Sequence, residues 1–529
     1  MSARFLRARN GQGGPGPNLS GRRRDAQHDT EKFRTKPIAL RPDPPRDWAH
    51  GEKRVSDDLN VDWGGEPYTG LNREWEPEWF LTDEQRELQR QLIEVCERVI
   101  RPEAIIGDRT GAYPHKSLQA LADLGILGAV VPKKYGGRGE NNVGIMMLTE
   151  TLARYGCPST TVIYMMHMVA LAGLVFRASH NPHIQDLISR IDSECLVGTA
   201  SYTDPETGGH FWYPKVSSAT RVREGWHVRK KAAWTTSCGY ASWYITQTTS
   251  PDFSGDYSDL SVFLLYPDEV DAKTGQWDAL GMHANQSGPV EIDAVIPADR
   301  IVGWPGDGAP SNDEAIDPLA FVQYAGAYNG LAMGALDVGR QHATKRAHAQ
   351  YGRTISDYLT VQDTFGAVLS DTLASRMYAY SFARELDART DNGSWEMYEA
   401  DPSVRPRASL TNWSLPAKVL AAKAAWEATD KMLQVCGGRG YSKANEIERL
   451  FRDGKAGWIM APSNEVTRIL IGKWALHGAE AVDWWNQHVD EPALNNELGK
   501  LDVDGKRDLA ARLLSEIAES DAERVAQHN

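Results

Sequence analysis

The sequence is poor in cysteine, and its few cysteines are not spaced for a metal or a set of disulfides. Five cysteines are scattered over 529 residues, and no CxxC pair occurs among them. A zinc ribbon and a disulfide framework are therefore excluded as interpretations. We expect no metal site, and a reducing, cytoplasmic location.

Basic residues are also fewer than acidic residues. The chain has 58 Lys and Arg against 71 Asp and Glu, which gives a net charge of −13. A protein that coats nucleic acid needs a basic face for phosphate, so we expect no nucleic-acid partner. Hydrophobic residues make up 41% of the chain and there are 17 tryptophans, which indicates a folded interior.

Long apolar runs that could span a membrane are lacking as well. Residues 162–176 are apolar, but this run is short and contains His167. Residues 318–336 carry no charge, yet they are rich in Ala and Gly and include Gln323 and Asn329. Small residues suit a helix packed tightly inside a large protein. We therefore expect no membrane span.

The order of patterns along the chain predicts an α+β protein that is mostly helical. Helical apolar spacing begins near Leu81, short β-type runs follow from about residue 196, and helical spacing returns after Asp317. No GxGxxG follows a strand, so a Rossmann domain is not expected. The predicted parts are an N-terminal extension, a helical domain, a central antiparallel β domain, a C-terminal helical bundle and an acidic helical tail, at residues 1–75, 76–195, 196–306, 307–480 and 481–529.

Three short motifs stand out within this order. They read ASYTDPETGG at 200–209, KAAWTTSCG at 231–239 and QVCGGRGY at 434–441. Taken alone, each is weak. An indole near a hydroxyl most often packs in a core, and a glycine pair between helices usually forms a turn with positive φ.

In this order and at this spacing, the three motifs resemble the acyl-CoA dehydrogenase superfamily of flavoproteins, over about residues 78–480. The resemblance implies a helical domain, a β domain and a four-helix bundle, with FAD held between the last two. It also implies a homotetramer or homodimer and an acyl-CoA-like substrate. The implied electron acceptor is an electron-transfer flavoprotein or O₂.

The same resemblance implies roles for individual residues. The loop at Tyr202 and Thr203 would meet the pyrimidine edge of the flavin, Trp234 would pack beside the ring, and the Thr236 hydroxyl would bond its N5. The remaining implied positions are FAD contacts at Gln434, Gly437, Gly438, Ser463 and Glu465, substrate contacts at Gly209, His210 and His283, and a structural ion pair of Arg452 with Asp453.

The chain departs from the family where the catalytic base belongs. The family's usual glutamate position is occupied by Ala461, and the position used by a subset of members falls near Ala320. Alanine cannot accept a proton. His167 and Glu465 are the candidate catalytic residues instead. The competing interpretations are a core histidine packed among methionines for His167, and an acid favoured at a helix N-terminus for Glu465.

Three functions remain open at this point. The first is a FAD-dependent oxidoreductase of the acyl-CoA dehydrogenase type that acts on an unusual CoA thioester. The second is a flavin-dependent monooxygenase on the same fold, which the empty base positions and nearby histidines favour. The third is a non-catalytic FAD-binding subunit that pairs with an active partner.

Overall fold

The computed structural model describes residues 71, 75–205, 217–253, 258–390, 407–478 and 498–527. The chain divides into two units, and all of these residues belong to the second, residues 61–529. Most of the predicted N-terminal extension lies outside the described residues. So do two of the predicted substrate contacts, Gly209 and His210.

Six helices form the first part of this unit. They are α1 (Asp83–Val95), α2 (Arg101–Thr110), α3 (His115–Asp123), α4 (Asn142–Thr151), α5 (Pro158–Arg177) and α6 (Pro182–Ser189). Helix α1 starts with a capping box, in which the Thr82 hydroxyl accepts from the Gln85 amide and the Gln85 side chain accepts from the Thr82 amide. This confirms the helix start predicted from the sequence.

Helix α5 is the most apolar of them. The segment Pro158–His180 is long and apolar enough to cross a membrane, but 94% of its most apolar window is buried inside the protein. Residues of α5 pack against the other helices and against the sheet. This position is that of a core helix, which shows why the segment is uniformly apolar.

An eight-stranded sheet follows. Its strands are β1 (Gly198–Ser201), β2 (Ser218–Val222), β3 (Gly225–Thr235), β4 (Trp243–Thr249), β5 (Leu260–Leu265), β6 (Asp271–Ala272), β7 (Gly288–Pro297) and β8 (Ile301–Val302). The order across the sheet is β6-β7-β3-β2-β4-β5-β8, with β1 also paired to β4. The helical, β, helical order predicted from the sequence is confirmed.

The sequence predicts an antiparallel sheet, but two of its strand pairs are parallel. Strand β1 runs parallel to β4, with Gly198 beside Trp243 and Ser201 beside Thr246, and β2 is parallel to β4 where they touch. Strand β1 enters directly from the helical part and is separated from β4 by the β2–β3 hairpin. No tight turn joins β1 to β4, so nothing local enforces an antiparallel pairing.

Helices dominate the rest of the described chain. They are α7 (Gly308–Ser311), α8 (Asp317–Lys345), α9 (Leu359–Arg389), α10 (Thr411–Gly440), α11 (Glu446–Gly454), α12 (Ala456–Ile459), α13 (Asn464–His477) and α14 (Val503–Gln527). Two short strands, β9 (Ala347–His348) and β10 (Arg353–Thr354), pair in the α8–α9 connection. Helix α10 begins before Pro416, so this proline lies inside the helix.

The small residues of α8 allow it to lie very close to α4. A Cβ placed on Gly330 would lie 2.3 Å from the Glu150 carbonyl oxygen, and one on Gly326 would lie 2.9 Å from that of Met146. No larger residue fits at such a distance. The uncharged run at 318–336 is therefore a buried bundle helix.

A buried cluster of charges ties the start of the described chain to the bundle. Arg154 bonds to Glu76 and, at 2.7 Å, to Asp337. Arg376 bonds to Glu150 and, at 3.2 Å, to Glu76. Each guanidinium thus faces two carboxylates, which is the arrangement that makes a buried charge tolerable.

Candidate active site

A cavity of about 870 Å³ opens where the helical part, the sheet and the bundle meet. Its wall is formed by α5, by the loop after β1, by the end of β3, by residues 277–287, by the first turns of α8 and by residues 452–466. Five predicted cofactor residues line this one cavity: Tyr202, Thr203, Trp234, Thr236 and Ser463.

Trp234 faces the cavity because strand β3 carries a bulge. The register of β3 against β7 shifts between Ala232 and Thr235. The regular alternation of buried and exposed residues is broken there, so Trp234 is 57% exposed while Thr235 is fully buried. A bulge redirects side chains in this way. The Trp277 ring meets the Trp234 ring nearly edge-on, with 5.5 Å between centroids.

Hydrogen bonds hold the two predicted flavin loops side by side. The Thr203 hydroxyl donates to the Trp234 carbonyl at 3.1 Å. The Thr236 hydroxyl lies 3.0 Å from the Ser287 hydroxyl, which donates to the Asn285 side chain at 2.9 Å. The positions of these hydroxyls are therefore set by protein partners before any ligand arrives.

Beneath the Tyr202 loop lies a buried lysine. Lys230 donates from its ammonium group to the Tyr202 carbonyl at 3.1 Å. Burial lowers the pKa of Lys230 to about 8, and the Asp204 carboxylate partly opposes this shift. The Tyr202 hydroxyl is buried and has no hydrogen-bond partner among the described residues, although a buried polar group normally has one.

The loop that contains Ala461, where the sequence places the family's base, is anchored by two side chains. Ala461 lines the cavity, and its carbonyl accepts from the Tyr324 hydroxyl at 2.8 Å. The Lys418 amine donates to the Pro462 carbonyl at 2.8 Å and to the Asn464 side chain at 2.7 Å. Burial lowers the pKa of Lys418 to about 7. These bonds fix the backbone of the loop at Ala461 and Pro462.

Helix α8 presents a stripe of residues to the same cavity. Asp317, Ala320 and Tyr324 lie three and four residues apart and all line its wall, together with Phe321. This spacing puts them on one face of the helix. Ala320, near which the sequence places the second base position, thus lines the cavity, with a carboxylate one turn before it and a phenol one turn after it.

His167 lies outside this cavity wall and is fully buried. Its Nδ1 accepts from the Gly198 amide at 2.9 Å, and its Nε2 donates to the Leu127 carbonyl at 2.9 Å. Burial lowers the pKa of His167 to about 4, with the bond to Leu127 opposing. Both ring nitrogens of the neutral imidazole are occupied by backbone groups. The structure therefore gives His167 a structural position, and we do not retain it as a candidate base.

Ser463 and Glu465 differ in position. Ser463 lines the cavity and caps helix α13 by accepting from the Val466 amide at 3.4 Å. Glu465 is exposed in the first turn of α13, and its carboxylate accepts from the Trp458 indole at 2.7 Å. This matches the alternative interpretation of Glu465 as an acid at a helix N-terminus. The described cavity wall does not include it.

His283 belongs to a charged cluster beside the cavity. Its Nδ1 lies 2.7 Å from the Asp108 carbonyl and 3.2 Å from the Asp108 carboxylate, and its Nε2 lies 3.0 Å from the Ala279 carbonyl. Because these partners are acceptors, both ring nitrogens must donate. The Asp108 carboxylate raises the pKa of His283 to about 9. His283 is a structural imidazolium here and does not line the cavity.

The predicted ion pair of Arg452 with Asp453 is replaced by other pairs. Arg452 donates two bonds of 2.8 Å to the Asp108 carboxylate and also bonds Glu448. The Asp453 carboxylate accepts from the Met282 amide at 2.7 Å. Consecutive residues on helix α11 point in different directions, so each finds a separate partner.

The residues of the glycine-rich motif do not line this cavity in a single chain. Gln434, Gly437 and Gly438 lie at the exposed C-terminal end of α10. A Cβ built on either glycine meets nothing within 4 Å, and Gly437 has a φ of 59°. A positive φ favours glycine at that position. The motif leaves an open backbone surface that another molecule can approach.

Several cavity residues were not found by the sequence analysis. They are Trp277, Asn285, Ser287, Asp317 and Tyr324. The spacing of Asp317 and Tyr324 from Ala320 was a usable signal, since a residue three or four positions from a site residue on a helix shares its face. The other three lie on an irregular segment whose path the sequence does not encode locally.

Comparison with known protein families identifies the class of protein. Residues 82–183 match the acyl-CoA dehydrogenase N-terminal domain, and residues 322–476 match the acyl-CoA dehydrogenase C-terminal domain. The chain belongs to the acyl-CoA dehydrogenase superfamily, as the motifs had suggested. Membership in this family implies a flavin cofactor and oxidoreductase chemistry.

Relatives and solved structures agree with this assignment. The chain is 27% identical over 419 residues to the probable acyl-CoA dehydrogenase fadE25 of Mycobacterium leprae, covering 78% of this chain and 99% of the relative. It is 24% identical over 397 residues to glutaryl-CoA dehydrogenase of Desulfococcus multivorans, covering 74% and 96%. Butyryl-CoA dehydrogenase from Megasphaera elsdenii shares the fold, with a TM-score of 0.66, 21% identity and coverage of 75% and 99%.

Proposed function

We propose that this chain is a FAD-dependent oxidoreductase of the acyl-CoA dehydrogenase type that acts on an unusual CoA thioester, with Ala461 where the usual catalytic glutamate belongs. The observation that carries the proposal is the cavity of about 870 Å³ whose wall contains Trp234, Thr236, Tyr202 and Thr203 together. Residues from two separate motifs meet there, as a flavin site requires.

The residues present fit a flavin. The cavity has an exposed indole at Trp234, which offers a flat apolar face to an aromatic ring system. Hydroxyls at Thr203 and Thr236 stand beside it in fixed positions. The buried Tyr202 hydroxyl has no hydrogen-bond partner among the described residues, so it can form a hydrogen bond with a ligand.

FAD, when bound, supplies the two-electron acceptor that takes a hydride from the β-carbon of the thioester. The protein's own part is to orient the flavin and the thioester and to enclose them. Thr236, held by Ser287, presents its hydroxyl oxygen to the cavity, and the Tyr202–Thr203 backbone is fixed from behind by Lys230. Apolar side chains of α5 and α8, including Met166 and Phe321, keep water from the acyl part.

The relatives support a CoA thioester as the substrate class. The named enzymes among them act on glutaryl-CoA and cyclohex-1-ene-1-carbonyl-CoA. We propose an electron-transfer flavoprotein as the electron acceptor and O₂ as the alternative. We also propose a homotetramer or homodimer, in which Gln434, Gly437 and Gly438 of one subunit reach the FAD of another.

Flavin titration tests this function. We expect apo-protein to bind FAD with quenching of flavin fluorescence, and Trp234→Ala to weaken the binding at least about tenfold, the equivalent of about 1.4 kcal/mol, because a ring contact is lost. Trp413→Ala is the matched control, since Trp413 is an equally exposed indole outside the cavity wall. Equal affinity for FAD in both variants contradicts the proposal.

A flavin-dependent monooxygenase is the second candidate. The observation in its favour is that Ala461 and Ala320, which both line the cavity, offer no group that titrates. Oxygen uptake separates the two functions. A monooxygenase consumes O₂ only after its flavin has been reduced by an added reductant, whereas a dehydrogenase is reduced directly by its thioester.

A further inference from the structure

The cavity wall contains three carboxylates within the described residues, and they differ in burial and in position. They are Asp204, Asp278 and Asp317. Asp204 accepts from the Ser217 hydroxyl at 3.0 Å and lies behind the Tyr202 loop with Lys230. Asp278 is exposed at the rim. Asp317 is 6% exposed.

Asp317 lies close to the place that lacks a base. It is the first residue of α8, one turn before Ala320 and two turns before Tyr324 on the same helix face. Tyr324 in turn donates to the carbonyl of Ala461. The carboxylate therefore stands on the stripe that packs against the loop where the family carries its glutamate.

The Asp317 carboxylate lies close enough to two phenols of the cavity wall to affect their ionisation. Burial raises the pKa of both Tyr202 and Tyr324, and the Asp317 carboxylate raises them further. Both phenols line the cavity, one from the flavin loop and one from α8. Asp317 is thus near a phenol of the predicted flavin loop and near the phenol that bonds the Ala461 carbonyl.

We propose that Asp317 is the proton acceptor of this enzyme, in place of the missing glutamate. The proposal rests on the dehydrogenase function proposed above. As the α-carbon C–H bond breaks, one oxygen of the Asp317 carboxylate takes the proton and becomes a neutral acid. The electron pair of that bond enters the new C=C bond, and the β-hydrogen leaves as hydride to the flavin, which is the oxidant.

Proton exchange without oxidation tests this role directly. A 3-thia-acyl-CoA has α-protons but no β-carbon, so it can lose an α-proton and cannot be oxidised across the α,β-bond. Incubated in D₂O with holoenzyme, it should gain deuterium at the α-carbon, measured by mass spectrometry. We expect Asp317→Asn to slow this exchange at least about 100-fold, the effect typical of a lost general base.

Matched variants show whether Asp317 acts as the base or has only a structural role. Asp363→Asn removes an exposed carboxylate of α9 and should leave exchange unchanged. Asp317→Glu keeps a carboxylate and should retain measurable exchange. Ala461→Glu introduced into the Asp317→Asn protein should restore exchange from the neighbouring wall. Thermal unfolding and FAD binding of every variant show that the fold is retained.

The outcomes distinguish the two proposals. If wild-type holoenzyme binds FAD and exchanges the α-proton but Asp317→Asn keeps more than half of the rate, the role of Asp317 is overturned and the function stands. If exchange is lost in Asp278→Asn and not in the other variants, Asp278 is the base, and the role of Asp317 is overturned equally. If wild-type protein binds neither FAD nor the thioester, the function itself fails. Should Asp317→Asn not fold, Asp317→Glu carries the test. Exchange below one-hundredth of wild type in this protein, with no increase when Ala461→Glu is added to it, counts against the proposal.

Discussion

The cluster of His283, Asp108 and Arg452 makes a prediction about stability that can be worked from its geometry. The imidazolium of His283 is held by the Asp108 carboxylate at 3.2 Å, and its pKa is raised from 6.5 to about 9. A group whose pKa is higher in the folded state stabilises that state fully below pH 6.5. The contribution is lost as the pH rises through 9.

The size of this contribution follows from the shift and from exposure. A shift of this size corresponds to at most about 3 kcal/mol at about 1.4 kcal/mol for each factor of ten. The His283 side chain is 29% exposed, so solvent screening reduces the expected value to about 1–2 kcal/mol. Between pH 6 and pH 9.5 the wild type should lose this amount relative to a His283→Gln protein.

Urea unfolding at the two pH values measures the difference. Comparison between variants is essential, because Lys418 and Lys230 have lowered pKa values and gain stability with pH in an overlapping range. His477→Gln, an exposed histidine at the end of α13, serves as control and should follow the wild type. A His283→Gln protein with the same pH dependence as the wild type would refute the assignment of a structural imidazolium.

Three further predictions concern the framework around the site. Lys418→Met should flatten the rise in unfolding free energy between about pH 7 and pH 10.5, measured by urea denaturation, because the folded state favours the neutral amine. Glu76→Ala should cost about 3–5 kcal/mol in the same assay, since it removes a shared partner of Arg154 and Arg376; a loss under 1 kcal/mol speaks against the buried cluster. Gly330→Ala should lower the melting temperature by several degrees, because its Cβ would meet the Glu150 carbonyl at 2.3 Å, whereas Gly366→Ala, in open space on α9, should not.

Much of the fold could be predicted because its signals are local. The helical spacing that begins near Leu81 is carried by a few consecutive residues, and helix α1 forms there, at Asp83–Val95. The parallel pairing of β1 with β4 has no such signal, because it depends on how the chain returns after a hairpin.

The geometry of the candidate site depends even more on contacts between distant parts of the chain, which the sequence does not encode locally. Trp234 and Thr236 could be found by resemblance, but the bulge that turns Trp234 outward depends on the register with β7. His167 looked reactive in sequence and proves to be tied to two backbone groups, one of them from β1. Asp317 carried no motif. Its interest arises only because folding brings it to the cavity that contains Ala461.

Anaerobic mixing of the FAD-loaded protein with a series of CoA thioesters tests the central claim most directly. We predict that at least one thioester bleaches the flavin absorbance, with one enoyl product formed per flavin reduced, and that a dye or an electron-transfer flavoprotein restores the colour. A flavin that binds in the cavity yet stays oxidised with every thioester, and reacts only with O₂ after reduction by an added reductant, would contradict the dehydrogenase function.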